Sequence, residues 1–388
     1  MKKICVVTSS RADYGLLKHL LKEIKVSSLL HLQLIVCGSH LSSFHGMTIN
    51  EITDDGFKID EKVDITQKND TQLDISVSIS SGITSFARIY ASLRPDALLI
   101  LGDRYEILAA AISATIANIP IVHLHGGEVT EGAIDDMFRH SITKMSHLHF
   151  VAAVPYKNRV IQLGENPKNV FCVGGLGVDA IKKVPILSKK NLSKQLNIKL
   201  KKRSFLVTYH PLTANPSASQ LELSELLQAL ENYEDCSIIF TTPNADADGL
   251  QLAKNLKTFA DARANCFYFS SLGQENYFSC LSNFDAVIGN SSSGLLEAPS
   301  FKIPTINIGD RQKGRLKAES VIDCEANKKN IQEAVERALS PEFIRKTKKT
   351  NNPYGRGGAS KKIARILEKS DFSKLFTKEF FDQNVFEI

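Results

Sequence analysis

The feature that most constrains this chain is a rhythm that occurs twice. In the first half, short β-branched runs at 3–8, 32–37, 97–101, 120–123, 148–152 and 170–173 alternate with helical periodicity at 14–25, 75–93, 105–117 and 137–145. The pattern restarts with runs at 204–209, 237–241, 266–269, 285–289 and 305–308, and helical stretches at 220–232, 250–262, 274–281 and 329–339. Strands that alternate with helices predict a parallel sheet wrapped by helices. With 388 residues the chain also exceeds one ordinary core. The expected architecture is α/β, with two Rossmann-like domains facing each other across a cleft. Their expected spans are 1–180 and 203–365, joined by a lysine-rich linker at 181–202. A tail at 366–388 either packs back on the first domain or hangs loose. In such sheets ligands sit at the carboxyl ends of the strands, which here means the cleft.

Composition removes several function classes. The net charge of +6 is modest, and the lysine-rich runs at 199–203 and 346–349 lack interleaved aromatics. They read as solvated surface, so no nucleic-acid partner is expected. Seven scattered cysteines without a Cys-x-x-Cys pair fit reduced thiols in a cytoplasmic protein. The first residues carry too short an apolar run for a signal peptide, and no run approaches membrane-spanning length, so no membrane insertion is expected.

The run at 285–289 leads into Asn290-Ser291-Ser292-Ser293-Gly294-Leu-Leu-Glu297-Ala-Pro299. Small hydroxyl and glycine residues at a strand-to-helix turn leave backbone N–H groups free for a phosphate, and the helix dipole favours the anion. Glu297, about two helical turns along, suits two ribose hydroxyls. Arg311 and Arg315 add forked donors. A serine-capped helix beside a solvated basic loop is the plain alternative, but the combination favours a nucleotide-diphosphate site. His210, after the run 204–209, faces the same cleft as a phosphate donor or is a turn histidine before proline. In Thr8-Ser-Ser-Arg11-Ala-Asp13-Tyr-Gly, Arg11 is a candidate phosphate clamp. Asp13 either fixes that arginine or caps the next helix. The segment is not a Gly-x-Gly-x-x-Gly loop and gives no support to nicotinamide binding.

Acid/base candidates crowd the first half. Gly102-Asp103-Arg104 closes the run 97–101, and Asp103 points at the cleft or caps a helix. His123-Leu-His125-Gly-Gly-Glu128 closes the next run, with Asp135, Asp136, Arg139 and His140 shortly after. Histidines and carboxylates in a partly desolvated cleft have pKa values that can be tuned toward neutrality. Zinc on His-x-His plus glutamate is the competing idea; without a further ligand cluster, no metal is expected. His147 and His149 read as structural, His149 because it alternates with apolar residues.

Taken together, Ser-Arg-Ala-Asp-Tyr (10–14), Leu-Gly-Asp-Arg-Tyr-Glu (101–106), His-Leu-His-Gly-Gly-Glu (123–128), Arg-His-Ser-Ile-Thr-Lys-Met-Ser (139–146), Gly-Asn-Ser-Ser-Ser-Gly-Leu-Leu-Glu (289–297) and Gly-Asp-Arg-Gln-Lys-Gly-Arg (309–315) resemble the UDP-N-acetylglucosamine 2-epimerase family. The likeness is greatest to its hydrolysing branch in bacterial sialic acid synthesis, and it covers nearly the whole chain. It implies a glycosyltransferase-B-like fold that binds a small-molecule UDP-sugar, and a homodimer or homotetramer. Ser291 and Ser292 would meet the diphosphate and Glu297 the ribose, with Ser293 and Gly294 also binding the UDP-sugar. Arg11, Asp13, Arg104, Arg139, His140, His210 and Arg311 would also serve the substrate. Asp103, His125, Glu128, Asp135 and Asp136 would share the proton steps. The implied reaction takes UDP-N-acetylglucosamine and water to N-acetylmannosamine and UDP through a 2-acetamidoglucal. Nothing is oxidised, so no cofactor is expected. Many relatives carry glutamate where this chain has His125, which leaves His125 and Glu128 as alternatives for that role. The same reaction on UDP-2,4-diacetamido-2,4,6-trideoxy-glucose, and a non-hydrolysing epimerase, are the alternatives.

Overall fold

A computed structural model describes residues 1–42, 47–65, 71–130, 134–211, 216–243 and 249–383. The chain forms two compact units, one of Met1–Ala180 with Gly357–Ile388 and the other of Ile181–Arg356.

In the first unit the order is β1 (Lys2–Thr8), α1 (Arg11–Val26), β2 (Leu30–Cys37), α2 (Ile49–Asp54), β3 (Glu61–Val63), α3 (Gln72–Leu93), β4 (Ala97–Leu101), α4 (Tyr105–Ile116), β5 (Ile121–Leu124), α5 (Ile134–Met145), β6 (Leu148–Val151), α6 (Val154–Gln162), β7 (Val170–Cys172) and α7 (Leu176–Ile181). The strands make a seven-stranded sheet in the order β3-β2-β1-β4-β5-β6-β7. All its pairs are parallel, and β1 runs beside β2 from Lys2↔Leu30 to Thr8↔Val36. Because both faces are covered, β1 is apolar on both. Ile4 and Val6 enter a core with Leu17, Leu20, Leu21 and Ile24 of α1, while Cys5 and Val7 enter another with Phe86, Tyr90, Ile107 and Ala110.

The second unit runs α8 (Lys189–Gln195), β8 (Arg203–Thr208), α9 (Pro216–Leu230), β9 (Cys236–Thr241), α10 (Gly249–Asp261), β10 (Cys266–Phe269), α11 (Gly273–Asn283), β11 (Ala286–Gly289), α12 (Ser293–Leu296), β12 (Thr305–Ile308), β13 (Val321–Cys324), α13 (Lys328–Leu339) and α14 (Pro341–Lys349). Its six strands, again all parallel, take the order β10-β9-β8-β11-β12-β13. Both sheets therefore have the doubly wound order, which reverses direction between β1 and β4 and between β8 and β11.

Two boundaries differ from the sequence expectation. The stretch expected as a linker carries α8, and Leu187 just before it is tied to α11. Its N–H donates to Ser279 Oγ at 2.9 Å, and its carbonyl accepts from Asn283 Nδ2 at 2.9 Å. The expected end of the second domain at 365 falls inside α15 (Ala359–Lys369), which belongs to the first unit. Its Ala359, Ile363, Ala364 and Leu367 are buried in the core beneath α1. Asp179 caps it, accepting from the N–H groups of Gly358, Ala359 and Ser360 at 2.5, 2.9 and 2.7 Å. Beyond it the chain stays on the first unit, where buried Phe372 joins that core and the Phe381 N–H donates to the Gly164 carbonyl at 2.9 Å.

Candidate active site

In the first unit the loops after β1, β4 and β5 meet at the carboxyl edge of the sheet, where its order reverses. Arg139, from the middle of α5, is the hub of the loops after β4 and β5. Its Nη1 donates to the Glu128 carbonyl at 2.9 Å and to Asp136 Oδ1 at 2.7 Å. Its Nη2 donates to Thr130 Oγ1 at 3.0 Å and to Asp103 Oδ2. The Thr130 N–H closes the ring on Asp136 Oδ1 at 2.7 Å. The Arg139 side chain is 4 % exposed, and a charge so buried needs partners. Burial opposes its ionisation, yet Asp103, followed by Glu128 and Asp136, holds its pKa above the ordinary arginine value. Asp103 and Asp136 are thus anchored carboxylates, each about a quarter exposed.

Asp135, next on the helix, differs. It is raised above the usual carboxylate range by burial and then by the charge of Asp103. Burial and a like charge both disfavour the ionised form of a carboxyl.

The two histidines of the His-x-His sequence do not converge. His123 is wholly buried; its Nε2 donates to the Gly102 carbonyl at 2.9 Å, and Nδ1 lies 3.2 Å from Thr143 Oγ1. Burial pushes it down to about 3, so it is neutral, and its Nε2 proton is committed to that carbonyl. Among the described residues no group of three histidines, cysteines or carboxylates is placed to hold a metal ion.

His125 stands at φ +65°, in the left-handed region, which costs a residue with a Cβ about 1–2 kcal/mol. Its Nδ1 is 2.9 Å from Glu128 Oε1, and its Nε2 is buried with no hydrogen-bond partner among the described residues. Gly127 makes this turn possible. At φ +77°, an added Cβ there would lie 2.4 Å from the Tyr156 carbonyl oxygen. His140 Nε2 lies 3.5 Å from Asp136 Oδ2, and burial lowers its pKa.

Several expected ligands are committed elsewhere. Asp13 accepts from the N–H groups of Ser9, Ser10 and Tyr14 at 2.8, 2.7 and 2.9 Å, so it closes the cap of α1. Arg11 pairs at the surface with Glu51 at 3.2 Å, not with Asp13. Arg104 spends its fork on buried Glu106, with Nε and Nη2 each at 3.1 Å from its carboxylate.

In the second unit, β8 and β11 lie side by side at the reversal of its sheet, with Gly289 opposite Thr208. Gly289 has φ +134°, and a Cβ there would lie 2.0 Å from the Thr208 carbonyl oxygen. Asn290 grips the backbone of His210 from both sides. Its Oδ1 accepts from the His210 N–H at 2.7 Å, and its Nδ2 donates to the His210 carbonyl at 2.9 Å. The Asn290 carbonyl in turn accepts from Arg311 Nη1 at 3.3 Å and Gln312 Nε2 at 2.9 Å. His210, Ser291 and Arg311, from the loops after β8, β11 and β12, are thereby gathered around Asn290, with His210 Nε2 3.4 Å from Ser291 Oγ. Burial, then Arg311, pushes His210 down to about 3, so it is a neutral donor.

The helix after this turn is shorter than the sequence suggested. It ends after Leu296, and Glu297 caps it about one turn along. Pro299 ends it, because a proline ring cannot continue the hydrogen-bond ladder. Burial raises the Glu297 carboxyl to about 7. Ser293 Oγ accepts from Tyr277 Oη at 2.8 Å, and the carbonyl of buried Gly294 accepts from Thr305 Oγ1 at 3.0 Å, so both brace the turn from behind. Sequence reasoning missed Thr130, Tyr277, Asn290 as a clamp and Gln312. Only Asn290, beside the obligatory glycine, carried a local signal.

Two doubly wound parallel-sheet units, one bearing the serine turn, place the protein in the glycosyltransferase-B-like class. The sequence matches the family described as UDP-N-acetylglucosamine 2-epimerase over residues 22–368. A hydrolysing GDP/UDP-N,N'-diacetylbacillosamine 2-epimerase of Campylobacter jejuni is 45% identical over 343 residues, 88% of either chain. Polysialic acid biosynthesis protein P7 of Escherichia coli is 38% identical over 98% of this chain and 97% of its own. The crystal structure of UDP-GlcNAc 2-epimerase from Neisseria meningitidis bound to UDP-GlcNAc superposes with a TM-score of 0.82 at 19% identity, covering 95% of this chain and 100% of that one. The chain belongs to the UDP-N-acetylglucosamine 2-epimerase family.

Proposed function

We propose that this protein is a hydrolysing 2-epimerase of UDP-linked 2-acetamido sugars. The observation that carries the reading is the collection of proton-handling groups in the first unit. Two anchored carboxylates, a carboxyl pushed upward in pKa and an imidazole whose Nε2 has no partner among the described residues sit at the carboxyl ends of β4 and β5 and on α5. A transferase that only moves a sugar needs an acceptor site more than this.

The C2 hydrogen of the sugar is not acidic in the ordinary sense. It leaves as a proton while the C1–O bond to UDP breaks, the electron pair of C2–H becoming the C1=C2 bond and that of C1–O departing with UDP. Water then adds to C1 of the 2-acetamidoglucal while a proton returns to C2 on the opposite face. Inversion thus needs proton carriers on two faces. Asp103, His125, Glu128, Asp135 and Asp136 supply them in this reading. The departing diphosphate falls to the second unit, where His210, Ser291, Ser292 and Arg311 gather donors before charge develops. Glu297 takes the ribose.

Two sugars compete. With UDP-N-acetylglucosamine the product is N-acetylmannosamine, for sialic acid; the Escherichia coli relative's name speaks for that route. With the 2,4-diacetamido-6-deoxy substrate the product feeds legionaminic acid, and the name of the 45% relative favours it equally. The test is proton NMR of the protein with each nucleotide sugar in deuterated water. Free 2-epimeric sugar with deuterium at C2, plus UDP, is expected from one of the two. An intact UDP-linked epimer would move the protein to a non-hydrolysing reaction, and no turnover of either would overturn the reading.

A further inference from the structure

We propose that His125 is the catalytic residue that takes the C2 proton, on Nε2, and that Glu128 is its positioning residue. This rests on the 2-epimerase reading and assigns one of its steps.

Three independent observations meet on one side chain. The first is backbone strain. His125 has a side chain yet lies at φ +65°, a conformation that persists only where its surroundings over-determine it. They do so here: its N–H donates to the Phe150 carbonyl at 2.9 Å, and Arg159 holds the carbonyl of Gly127, two residues on. The second is orientation. Glu128 Oε1 lies 2.9 Å from Nδ1. A carboxylate can only accept, so Nδ1 carries the proton of the neutral ring and Nε2 carries the lone pair. The third is Nε2 itself, buried and without a partner among the described residues. Buried nitrogens are nearly always hydrogen-bonded, and an exception calls for a reason. A base kept unpaired until substrate arrives is one.

The neighbouring groups are already engaged. His123 Nε2 is tied to the Gly102 carbonyl, and Asp103 and Asp136 are both ion-paired to Arg139. In the step, the C2–H bond breaks and its proton forms a bond to Nε2. The electron pair becomes the C1=C2 bond, UDP leaves with the C1–O pair, and the imidazolium later returns its proton to water.

His125→Gly tests this without strain, because glycine is at ease at this φ and the deletion leaves an imidazole-shaped hole. Wild type, His125→Gly and Glu128→Gln are assayed for UDP release with both nucleotide sugars. UDP affinity and thermal unfolding are followed in parallel. The expected result for His125→Gly is a loss of kcat of about 10²- to 10⁴-fold, with UDP affinity kept and rate restored by added imidazole. Glu128→Gln, whose amide can donate to Nδ1 and so invert the tautomer, is expected to lower kcat with KM little changed. Near-normal turnover of folded His125→Gly overturns the assignment. So does UDP release with accumulation of the glucal, because that places His125 in the second step. A wild type inert on both sugars would instead remove the underlying reading.

Discussion

Asp103 and Arg139 form an ion pair that fixes the loop after β4 to the middle of α5. The pair explains how short polar segments far apart in sequence hold one geometry. Arg139 also binds Asp136, Thr130 and the Glu128 carbonyl, so a single buried cation sets the positions of three segments. Removing one partner of such a charge does more harm than its hydrogen bond alone suggests, because the remaining charge stays buried.

Asp103→Asn is therefore expected to cut turnover by about 10²- to 10⁴-fold while leaving UDP affinity within a few-fold, since the serine turn is in the other unit. Steady-state kinetics beside calorimetric UDP titration reads both. Near-normal turnover would remove Asp103 from the catalytic machinery.

Much of the fold is legible in the sequence because the sheet strands are buried on both faces. Lys-Ile-Cys-Val-Val-Thr and Ala-Leu-Leu-Ile-Leu read as strands with no further context. The strands β3 and β13 do not, since each is short, lies at a sheet edge and mixes charge into its run, as in Glu-Lys-Val and Val-Ile-Asp-Cys. The helix α15 announces its amphipathic face, but a face does not say which core it covers. At the site, the carboxyl ends of strands were legible, so Asp103, His125, Glu128 and His210 stood out. The partners were not. Asp13 serves equally as cap or ligand by sequence, and only geometry commits it to the cap. Arg139's bonds reach back to positions 103, 128, 130 and 136, a set no local pattern encodes.

Gly289→Ala is expected to damage the proposed nucleotide side selectively. Its Cβ would sit 2.0 Å from the Thr208 carbonyl oxygen, so β8 and β11 must move apart and carry Asn290 away from His210. UDP binding should fall below detection, and stability should drop by roughly 2 kcal/mol or more. Calorimetry and urea unfolding measure the two effects; retained affinity would show that the close approach is not needed for binding.

Glu165 gives a prediction about acid. His149 Nε2, Lys144 Nζ and Lys378 Nζ surround its carboxylate at 2.9, 2.7 and 2.8 Å, the last from the C-terminal segment. Burial pushes the carboxyl upward, but His149, Lys144 and Lys378 together outweigh it and bring it down to about 2. The folded value lies below the ordinary 4.5. The stabilisation is therefore complete above that pH and is lost as pH falls from there toward about 2. Glu165→Gln should be less stable than wild type at neutral pH by about 3 kcal/mol, and the gap should close through this window. Urea midpoints of both proteins between neutrality and the acid limit give the gap; one that stays constant would contradict the linkage.

The same logic, with the opposite sign, applies to Glu297. Burial raises its carboxyl to about 7, so near neutrality a substantial fraction is protonated and has lost acceptor capacity. If the carboxylate accepts the two ribose hydroxyls, binding must first remove that proton. Affinity should then be full above this value and fall as pH drops through it, approaching tenfold per pH unit. A nucleotide sugar is the right probe, because its diphosphate diester has no titration in this range to confuse the slope. His210 does not contribute either, since burial keeps it neutral down to about 3. Glu297→Gln should bind more weakly at alkaline pH and show a flat profile. Calorimetric titration of both proteins across neutrality decides it: a flat wild-type profile, or an unchanged slope in the variant, would take the ribose away from Glu297.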